Sequence, residues 1–246
     1  MALLKAENIS VEFDNNQILD NVSITLNSGE LVSILGTSGS GKSTLFNVLS
    51  GLLAPKSGSV YLKDENITGK TGYMSYMLQK DLLLPFKNII DNVSLPLVIG
   101  GMSRKNAREL ALPHFKDFGL DNTMNMYPSE LSGGMRQRAA LLRTYLCGKD
   151  IALLDEPFSA LDAITKTGMH KWYISIMKDI KLSTLFITHD IDEAILLSDR
   201  IYILGNTPAT IKKEIIIDKK DVRHFDLLLS DSFLQYKRTI LNAIGE

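Results

Sequence analysis

The stretch LVSILGTSGSGKSTLFNVLS, residues 31 to 50, decides the fold. It opens with a short apolar run, Leu31 to Leu35, which predicts a buried strand. A loop rich in glycine and serine comes next, and a helical pattern then runs from Lys42 to Ser50 with Gly51 as its C-cap. Strand, loop and helix in this order predict an α/β fold with the loop at the carboxyl end of a strand.

The loop has the pattern of one glycine, four residues, then Gly-Lys-Ser. Glycines let consecutive backbone N–H groups turn inward on phosphate oxygens, and the helix that follows points its positive end at the same anion. Lys42 would reach the terminal phosphates, and Ser43 would offer a hydroxyl to Mg²⁺. The alternative is an accidental Gly-Ser loop, since a random chain of this length would contain the pattern roughly once in a hundred cases. We therefore predict a nucleotide site formed by Gly36, Thr37, Ser38, Gly39, Ser40, Gly41, Lys42, Ser43 and Thr44.

Other stretches extend the α/β interpretation. Residues 3 to 13 and 17 to 26 alternate apolar and polar around Asp14-Asn15-Asn16, which predicts a β-hairpin with one solvated face. The pattern is mainly helical from about Asn88 to Tyr127, before the alternation of strands and helices resumes at Ile151, which indicates a helical insertion. Short apolar strands at Ile151 to Leu154, Thr184 to Thr188 and Ile201 to Leu204 predict a parallel sheet covered on both faces.

Composition excludes several classes of protein. The chain has 246 residues, 45% hydrophobic and 22% charged, so it can bury a sizeable core. A net charge of -1 gives no basic excess, and nucleic acid is not expected as a partner. The single cysteine, Cys147, and a start without a secretory pattern indicate a cytosolic protein. No apolar run approaches the ~18 residues of a membrane span, so any membrane association would come through a partner.

Two further segments carry chemistry-bearing residues. The apolar run at Ile151 ends in Asp155 and Glu156, which places both carboxylates where open α/β sheets bind ligands. Asp155 suits a Mg²⁺ shell, and Glu156 is then free to orient or deprotonate a water; the alternative is a solvated turn. Leu131 to Met135, with its pair of glycines, precedes a helical stretch from Arg136 to Cys147. Spacing alone does not decide between a second anion site and an ordinary helix start.

Together these segments resemble the nucleotide-binding domain of ABC transporters, from about residue 3 to residue 215. The resemblance implies an α/β P-loop NTPase fold with a RecA-like core, an N-terminal antiparallel β subdomain and an inserted helical subdomain. It divides the chain into an ATPase domain, 1–220, with a helical insertion at about 88–147, and a C-terminal helical tail, 221–246. The motifs that carry it are the Walker A loop Gly36 to Thr44, Gln79 as the Q-loop glutamine, the signature Leu131 to Met135, Asp155-Glu156 closing Walker B, the D-loop Ser159 to Asp162, and His189.

The resemblance also implies that the catalytic site is composite. In this family the signature of one subunit covers the ATP held by the Walker A loop of the other, so two copies enclose two nucleotides head to tail. Ser132, Gly133 and Gly134 are then expected to contact the partner's γ-phosphate, and Asp162 is expected at the dimer interface. Each chain would act as half of a homodimer.

Within one chain, the family roles can be carried over residue by residue. Gln79 would complete a Mg²⁺ shell with Ser43 and Asp155, and Lys42 would contact the terminal phosphates. Glu156 would be the general base, and His189 would hold the γ-phosphate and the attacking water, since a neutral imidazole both donates and accepts. ATP and Mg²⁺ are therefore the expected ligands of a catalytic group that comprises Glu156, His189, Gln79 and Lys42.

Phe13 stands at the end of the first predicted strand, where the family usually has an aromatic residue stacked on adenine. Stacking on a base contributes about 1 to 3 kcal/mol in nucleic-acid proteins. The alternative role for Phe13 is edge-strand packing. The apolar tail positions Phe225, Leu228, Leu229, Phe233, Tyr236 and Ile240 have helical spacing and are expected to pack on the domain.

The segments Asp81 to Phe86 and Asp91 to Leu97 resemble importers for nitrate, sulfonates, taurine and thiamine-pyrimidine precursors. That branch implies two integral-membrane permease subunits, an external solute-binding protein, and a place at the cytoplasmic face of the cell membrane. Leu82 to Phe86 would line the cleft that accepts a helix of the permease. The alternative, that the leucines of this segment are ordinary core residues, applies to about half of them. The alternatives are an importer for another solute and a soluble ABC ATPase without a transport role. A GTPase, a kinase and a non-enzymatic sensor fit less well, because no guanine-specifying element occurs and Glu156 and His189 are both present.

Overall fold

The chain begins with a long hairpin in the computed structural model, which describes residues 2 to 218, 228 and 230 to 245. Strands β1 (Ala2–Phe13) and β2 (Asn16–Asn27) pair antiparallel. Asp14 and Asn15 between them have φ values of 47° and 65°, the two positive angles that a type I′ turn requires. The predicted hairpin is confirmed, with one more residue at the start of β1 and at both ends of β2.

Two strands that the sequence analysis did not predict widen this hairpin into a sheet. Strands β4 (Ser57–Leu62) and β5 (Glu65–Asn66) join through Lys63 and Asp64, and the strand order is β2-β1-β4-β5. Val60 is the one fully buried side chain of β4, so the alternation that marks a half-buried strand is weak there. This explains why the sequence pattern missed it.

The second sheet has six strands: β3 (Leu31–Leu35), β6 (Ser75–Met77), β7 (Ile151–Asp155), β8 (Ser183–Thr188), β9 (Arg200–Leu204) and β10 (Ile211–Ile216). Their order in the sheet is β10-β9-β3-β8-β7-β6. All neighbours pair in parallel except β9 and β10, which are antiparallel. Both faces are covered: along β7, Ile151 and Leu153 pack into one core while Ala152 and Leu154 pack into another. This confirms the predicted parallel core.

Helices cover both faces of this sheet. They are α1 (Lys42–Leu49), α2 (Ile89–Val93), α3 (Leu95–Ile99), α4 (Arg104–Ala111), α5 (His114–Asp117), α6 (Gly133–Tyr145), α7 (Ala163–Ile180), α8 (Ile191–Leu197) and α9 (Asp231–Gly245). Helix α1 packs between the two sheets, α6 and α7 cover the opposite face, and α8 and α9 pack on the core beside β9. Helices α2 to α6 lie between β6 and β7, in the stretch predicted to be a helical insertion, and its status as a separate subdomain stays a prediction.

The tail ends in α9, which packs on the core beside β9. Phe233 and Ile240 are buried there, Leu228 and Tyr236 pack partly buried against the same core, and the predicted positions Phe225 and Leu229 lie outside the described residues. Among the residues that the structure describes, no helix is both long and apolar enough to cross a membrane.

The strand order brings distant parts of the chain to one edge. The carboxyl ends of β3, β8, β7 and β6 lie side by side, because these strands are adjacent and parallel. The glycine-rich loop follows β3, His189 follows β8, Glu156 follows β7, and Gln79 follows β6. Four predicted motifs therefore meet where open α/β sheets bind their ligands.

Candidate active site

An open cavity of about 630 Å³ lies at this edge of the sheet. Its size is in the range of sites for drug-sized ligands. Every lining residue except Ile18 is a predicted site residue, whereas Gly36 and Ser40 are buried and do not line it. The lining consists of Phe13, Ile18, Ser38, Gly39, Gly41, Lys42, Ser43, Thr44, Gln79, Asp155, Glu156 and His189.

The phosphate-binding loop is closed by its own lysine. The Lys42 ammonium donates to the carbonyl oxygens of Gly36 at 2.9 Å and Thr37 at 2.6 Å. Gly39 and Gly41 have φ of 79° and 91°, a left-handed conformation that glycine adopts without strain. Burial lowers the pKa of Lys42, and the nearby carboxylates oppose that shift only in part. A bound anion would stabilise the charged ammonium, so the loop is prepared for phosphate.

Beside the loop lie the groups that suit a hard cation. Ser43 Oγ donates to Asp155 Oδ2 at 3.0 Å, and burial raises the pKa of Asp155 although this hydrogen bond acts against the shift. The Ser43 hydroxyl, the Asp155 carboxylate and the Gln79 amide line the same cavity and would supply a partial oxygen shell of the kind that Mg²⁺ accepts when phosphates and water supply the rest. Within the described part of the chain, no cluster of three or more His, Cys, Asp or Glu is arranged to hold a metal. Ser43 and Asp155 are oxygen donors of the kind that fit Mg²⁺.

Glu156 is held on both of its carboxylate oxygens. Gln79 Nε2 donates to Oε2 at 3.1 Å, and His189 Nδ1 lies 3.2 Å from Oε1. Glu156 has φ +45°, a left-handed conformation that costs a non-glycine residue about 1 to 3 kcal/mol and is concentrated at functional sites. Its N–H donates to Ile187 O at 3.1 Å, which links the turn to β8. The two residues predicted to act on the attacking water, Glu156 and His189, are thus in contact, and Gln79, predicted for the Mg²⁺ shell, contacts Glu156 as well.

The residues predicted to act across a dimer lie elsewhere. Ser132 is the N-cap of α6, and its Oγ accepts the N–H of Met135 at 3.3 Å. Asp162 is the N-cap of α7. Ser132, Gly134 and Asp162 do not line the cavity that contains Lys42.

Helix α6 begins three residues earlier than predicted, at Gly133 rather than at Arg136. The first turn of a helix needs no internal partners for its N–H groups, and the serine cap stabilises it, so the glycine pair is tolerated there. Gly133 also lines a second cavity of about 820 Å³, next to Gln79, Glu156 and His189. Gly133 of the signature thus lies beside the catalytic group, whereas Gly134 is buried.

Sequence reasoning missed the residues that hold the main chain of the site in place. The Arg143 guanidinium of α6 donates to Leu82 O at 2.8 Å and to Asp81 O, and so holds the segment after Gln79. Thr37 Oγ1 donates to Asn206 Oδ1 at 3.2 Å, which ties the phosphate loop to the turn after β9. The partners are distant in sequence and several are backbone atoms, so no local pattern reports them.

The profile of the ABC transporter family matches residues 19 to 159, more than half of the chain. The chain belongs to the ABC transporter family. Its relatives include the formylaminopyrimidine import ATP-binding protein ThiZ of Halalkalibacterium halodurans, which is 46% identical over 207 residues, 84% of this chain and 81% of ThiZ. The nitrate import ATP-binding protein NrtD of Synechocystis sp. is 39% identical over 200 residues, 81% of this chain and 75% of NrtD.

A solved ABC cassette shares the architecture. The dimeric post-hydrolysis structure of the ATP-binding cassette MJ0796, bound to ADP and Pi, superposes with a TM-score of 0.74 at 29% identity, and covers 87% of this chain and 99% of that one. The predicted P-loop NTPase fold is therefore confirmed, and this ABC chain is an ATP-binding ATPase with relatives among importers.

Proposed function

We propose that this chain powers the uptake of a small solute as the ATPase subunit of an ABC importer. It would act as a homodimer at the cytoplasmic face of the cell membrane, on two integral-membrane permease subunits that receive solute from an external binding protein. The importer names of ThiZ and NrtD support this proposal. An importer for another solute, or a soluble ABC ATPase, is the alternative.

In this proposal different site residues bind the phosphates, hold Mg²⁺ and activate the attacking water. Lys42 and the loop N–H groups bind the terminal phosphates, and Ser43, Asp155 and Gln79 hold Mg²⁺, which neutralises phosphate charge when it is bound. Glu156 takes the proton of the attacking water, and His189, in contact with it, orients that water and the γ-phosphate. The contacts of Glu156 with Gln79 and His189 support these roles, because a general base must be held within reach of the proton that it removes.

The second subunit would supply what one chain lacks. Ser132, Gly133 and Gly134 would bring the N-terminal end of α6 to the partner's γ-phosphate, and helix N-termini favour anions. Asp162 would lie at the interface. The dimeric MJ0796 cassette with ADP and Pi supports this arrangement, and so does the finding that Ser132, Gly134 and Asp162 do not line the cavity around Lys42 in their own chain.

The observation that carries the transport proposal is an apolar surface directly after Gln79. The side chains of Leu82 and Phe86 are 51% and 73% exposed, whereas Leu83 between them is buried. Arg143 fixes the main chain of this segment from the other side. Exposed apolar groups on a rigid segment are typical of a protein contact, and the position next to Gln79 would couple that contact to the γ-phosphate. The exposed side chains of Leu82 and Phe86 thus fit the proposed docking role, whereas the buried Leu83 fits the alternative role in the core.

Replacing Phe86 with Asp is expected to uncouple the chain from its permease. A buried aromatic anchor contributes about 2 kcal/mol or more to an interface, roughly 30-fold in affinity. The permease that co-purifies with the tagged chain should fall accordingly, and solute uptake should fall with it. The matched control is Ile216→Asp: Ile216 is 72% exposed but lies on β10, at the opposite edge of the sheet from β6. Uptake by a folded F86D protein at the wild-type rate would contradict docking at this surface.

The solute is best identified through the partners. The tagged chain would be purified from its native source with its membrane subunits and external binding protein, and the small molecule retained by the binding protein identified by mass spectrometry. A nitrate, sulfonate, taurine or pyrimidine-precursor ligand would support the branch. Purification without any membrane subunit would favour the soluble alternative.

Phe13 is expected to stack on adenine. It lines the cavity at the end of β1 and is 47% exposed, so its ring is available to a ligand. Phe13→Ala should weaken ATP binding by about 1 to 3 kcal/mol, and Phe13→Tyr should bind as tightly as wild type, because stacking needs only the aromatic face. Calorimetric titration with ATP measures both. An unchanged Kd for F13A would assign Phe13 to edge-strand packing instead.

A further inference from the structure

Helix α8, which follows His189, begins at a cluster of ion pairs between its first turn and α7. Lys166 Nζ of α7 lies 2.7 Å from Asp190 Oδ2 and 2.9 Å from Glu193 Oε2. The Glu193 side chain is 2% exposed, and His170 Nε2 lies 3.5 Å from the same carboxylate oxygen. A buried carboxylate needs opposite charge nearby, and Lys166 supplies it.

The two carboxylate oxygens of Asp190 bind different partners. Oδ1 accepts the N–H groups of Asp192 at 2.9 Å and Glu193 at 3.1 Å and so caps α8, while Oδ2 binds Lys166. The Asp190 N–H donates to Thr188 Oγ1 at 3.0 Å. Burial acts to raise the pKa of Asp190, but the hydrogen bonds from Lys166, Glu193 and Asp192 and the charge of Lys166 together outweigh it, and the pKa is lowered. The residue after His189 is therefore anchored on both sides.

The same helix α7 also supports the loop that contains Glu156. Phe158 is buried, and its ring centroid lies 5.1 Å from that of His170 and 5.5 Å from that of Tyr173, both on α7. Lys166 and His170 are four residues apart and so lie on one helix face. The loops of Glu156 and His189 consequently rest on neighbouring parts of a single helix.

We propose that Lys166 is a positioning residue that keeps His189 in contact with Glu156 by holding Asp190 against α7. The proposal rests on the catalytic roles proposed for His189 and Glu156. Without the ammonium, Asp190 and Glu193 lose their shared counter-charge, and the turn at His189 is free to move. A misplacement of about 1 Å can cost 100-fold in rate. ATP itself is held by the loop after β3, so its affinity should not depend on Lys166.

The test compares steady-state ATPase activity of purified variants. Lys166→Met, which keeps the length of the side chain but not the charge, is expected to lower kcat about tenfold or more with KM for ATP unchanged. Lys166→Arg keeps contact with both carboxylates and should retain most of kcat. The control is Lys237→Met, because Lys237 pairs with Asp192 of the same helix at 2.6 Å but does not touch the cap, and it should be as active as wild type.

A double-mutant cycle with His189→Ala separates positioning from general structure. If Lys166 acts through His189, K166M should cause no further loss in the H189A background; an equal loss there would overturn the proposal. Full activity of K166M, with H189A impaired, would also overturn it and leave the role of His189 intact. Full activity of H189A would instead contradict the proposed function of that residue, and the positioning role with it.

A second variant tests the same contact in case K166M does not fold. Asp190→Asn keeps an oxygen that can cap α8 but removes the charge that binds Lys166. It should fold with a Tm near that of wild type and show the same fall in kcat at unchanged KM. A folded D190N protein with normal kcat would overturn the proposal.

Discussion

Replacing Glu156 with Gln is expected to lower ATP turnover by about 10²- to 10⁴-fold, the usual contribution of a positioned general base. The amide has the size of the carboxylate and can still accept from Gln79, but it cannot take a proton from water. Nucleotide binding depends on the loop after β3 and should persist. E156Q should therefore accumulate as an ATP-bound dimer. Light scattering with and without ATP measures the dimer, and a single-turnover assay measures the rate of hydrolysis.

Glu109→Gln provides the matched control for this variant, since Glu109 is an exposed carboxylate on α4. It should hydrolyse ATP and exchange between monomer and dimer as the wild type does. Normal hydrolysis by E156Q would mean that another group takes the proton. Loss of hydrolysis together with loss of ATP binding would mean that Glu156 stabilises the site rather than the reaction.

Replacing Lys42 with Ala is expected to weaken ATP binding itself. Hydrogen bonds to charged groups contribute about 1.5 to 3 kcal/mol, so the Kd should rise roughly ten- to 150-fold. The stabilisation of the protein by ATP should shrink in parallel, because that stabilisation depends on the ratio of ligand concentration to Kd. Thermal unfolding with increasing ATP measures this shift. An unchanged ATP affinity would contradict the phosphate-binding role of the loop.

The comparison needs a control for the free protein. Lys42 also bonds to Gly36 O and Thr37 O, so K42A loses two hydrogen bonds before any nucleotide is present. The Tm without ATP corrects for that loss, and Lys63→Ala removes an exposed lysine whose partner, Asp150, is also exposed. Lys63 lies outside the nucleotide cavity, so K63A should show the full ATP-dependent shift.

A pH series adds an independent check on Lys42. Burial lowers the pKa of Lys42 in the free protein, and bound phosphates favour the protonated form. Binding therefore takes up a proton once the pH exceeds that lowered pKa, so ATP affinity should fall as the pH rises through it. K42A has no ammonium to lose and should lack this decline.

The strongest sequence signals came from local physical requirements. The turn at Asp14-Asn15 needs two residues that tolerate positive φ, and the loop from Gly36 to Thr44 needs glycines and a lysine at fixed spacing. Both requirements act within a few residues, so the sequence shows them directly. The apolar runs of β3, β7 and β8 were equally clear because both faces of these strands are buried.

Features that depend on distant partners could not be predicted in this way. Strand β6 has three residues, too few for any pattern, yet its neighbour β7 determines where Gln79 lies. Gln79 itself was found only through the family resemblance. Lys166 is one of many lysines in the sequence, and its partners Asp190 and Glu193 lie more than 20 residues away, so the fold alone brings them together.

The pairing of β6 with β7 has a mechanical consequence. The chain leaves the sheet after Met77, at the carboxyl ends of the strands, and returns at Ile151, at the opposite end of the adjacent strand. Gln79 and Phe86 both lie in the first part of this crossover, close to the edge where Glu156 follows β7. A partner that displaces Phe86 would therefore act through only seven residues of main chain on the contact between Gln79 and Glu156.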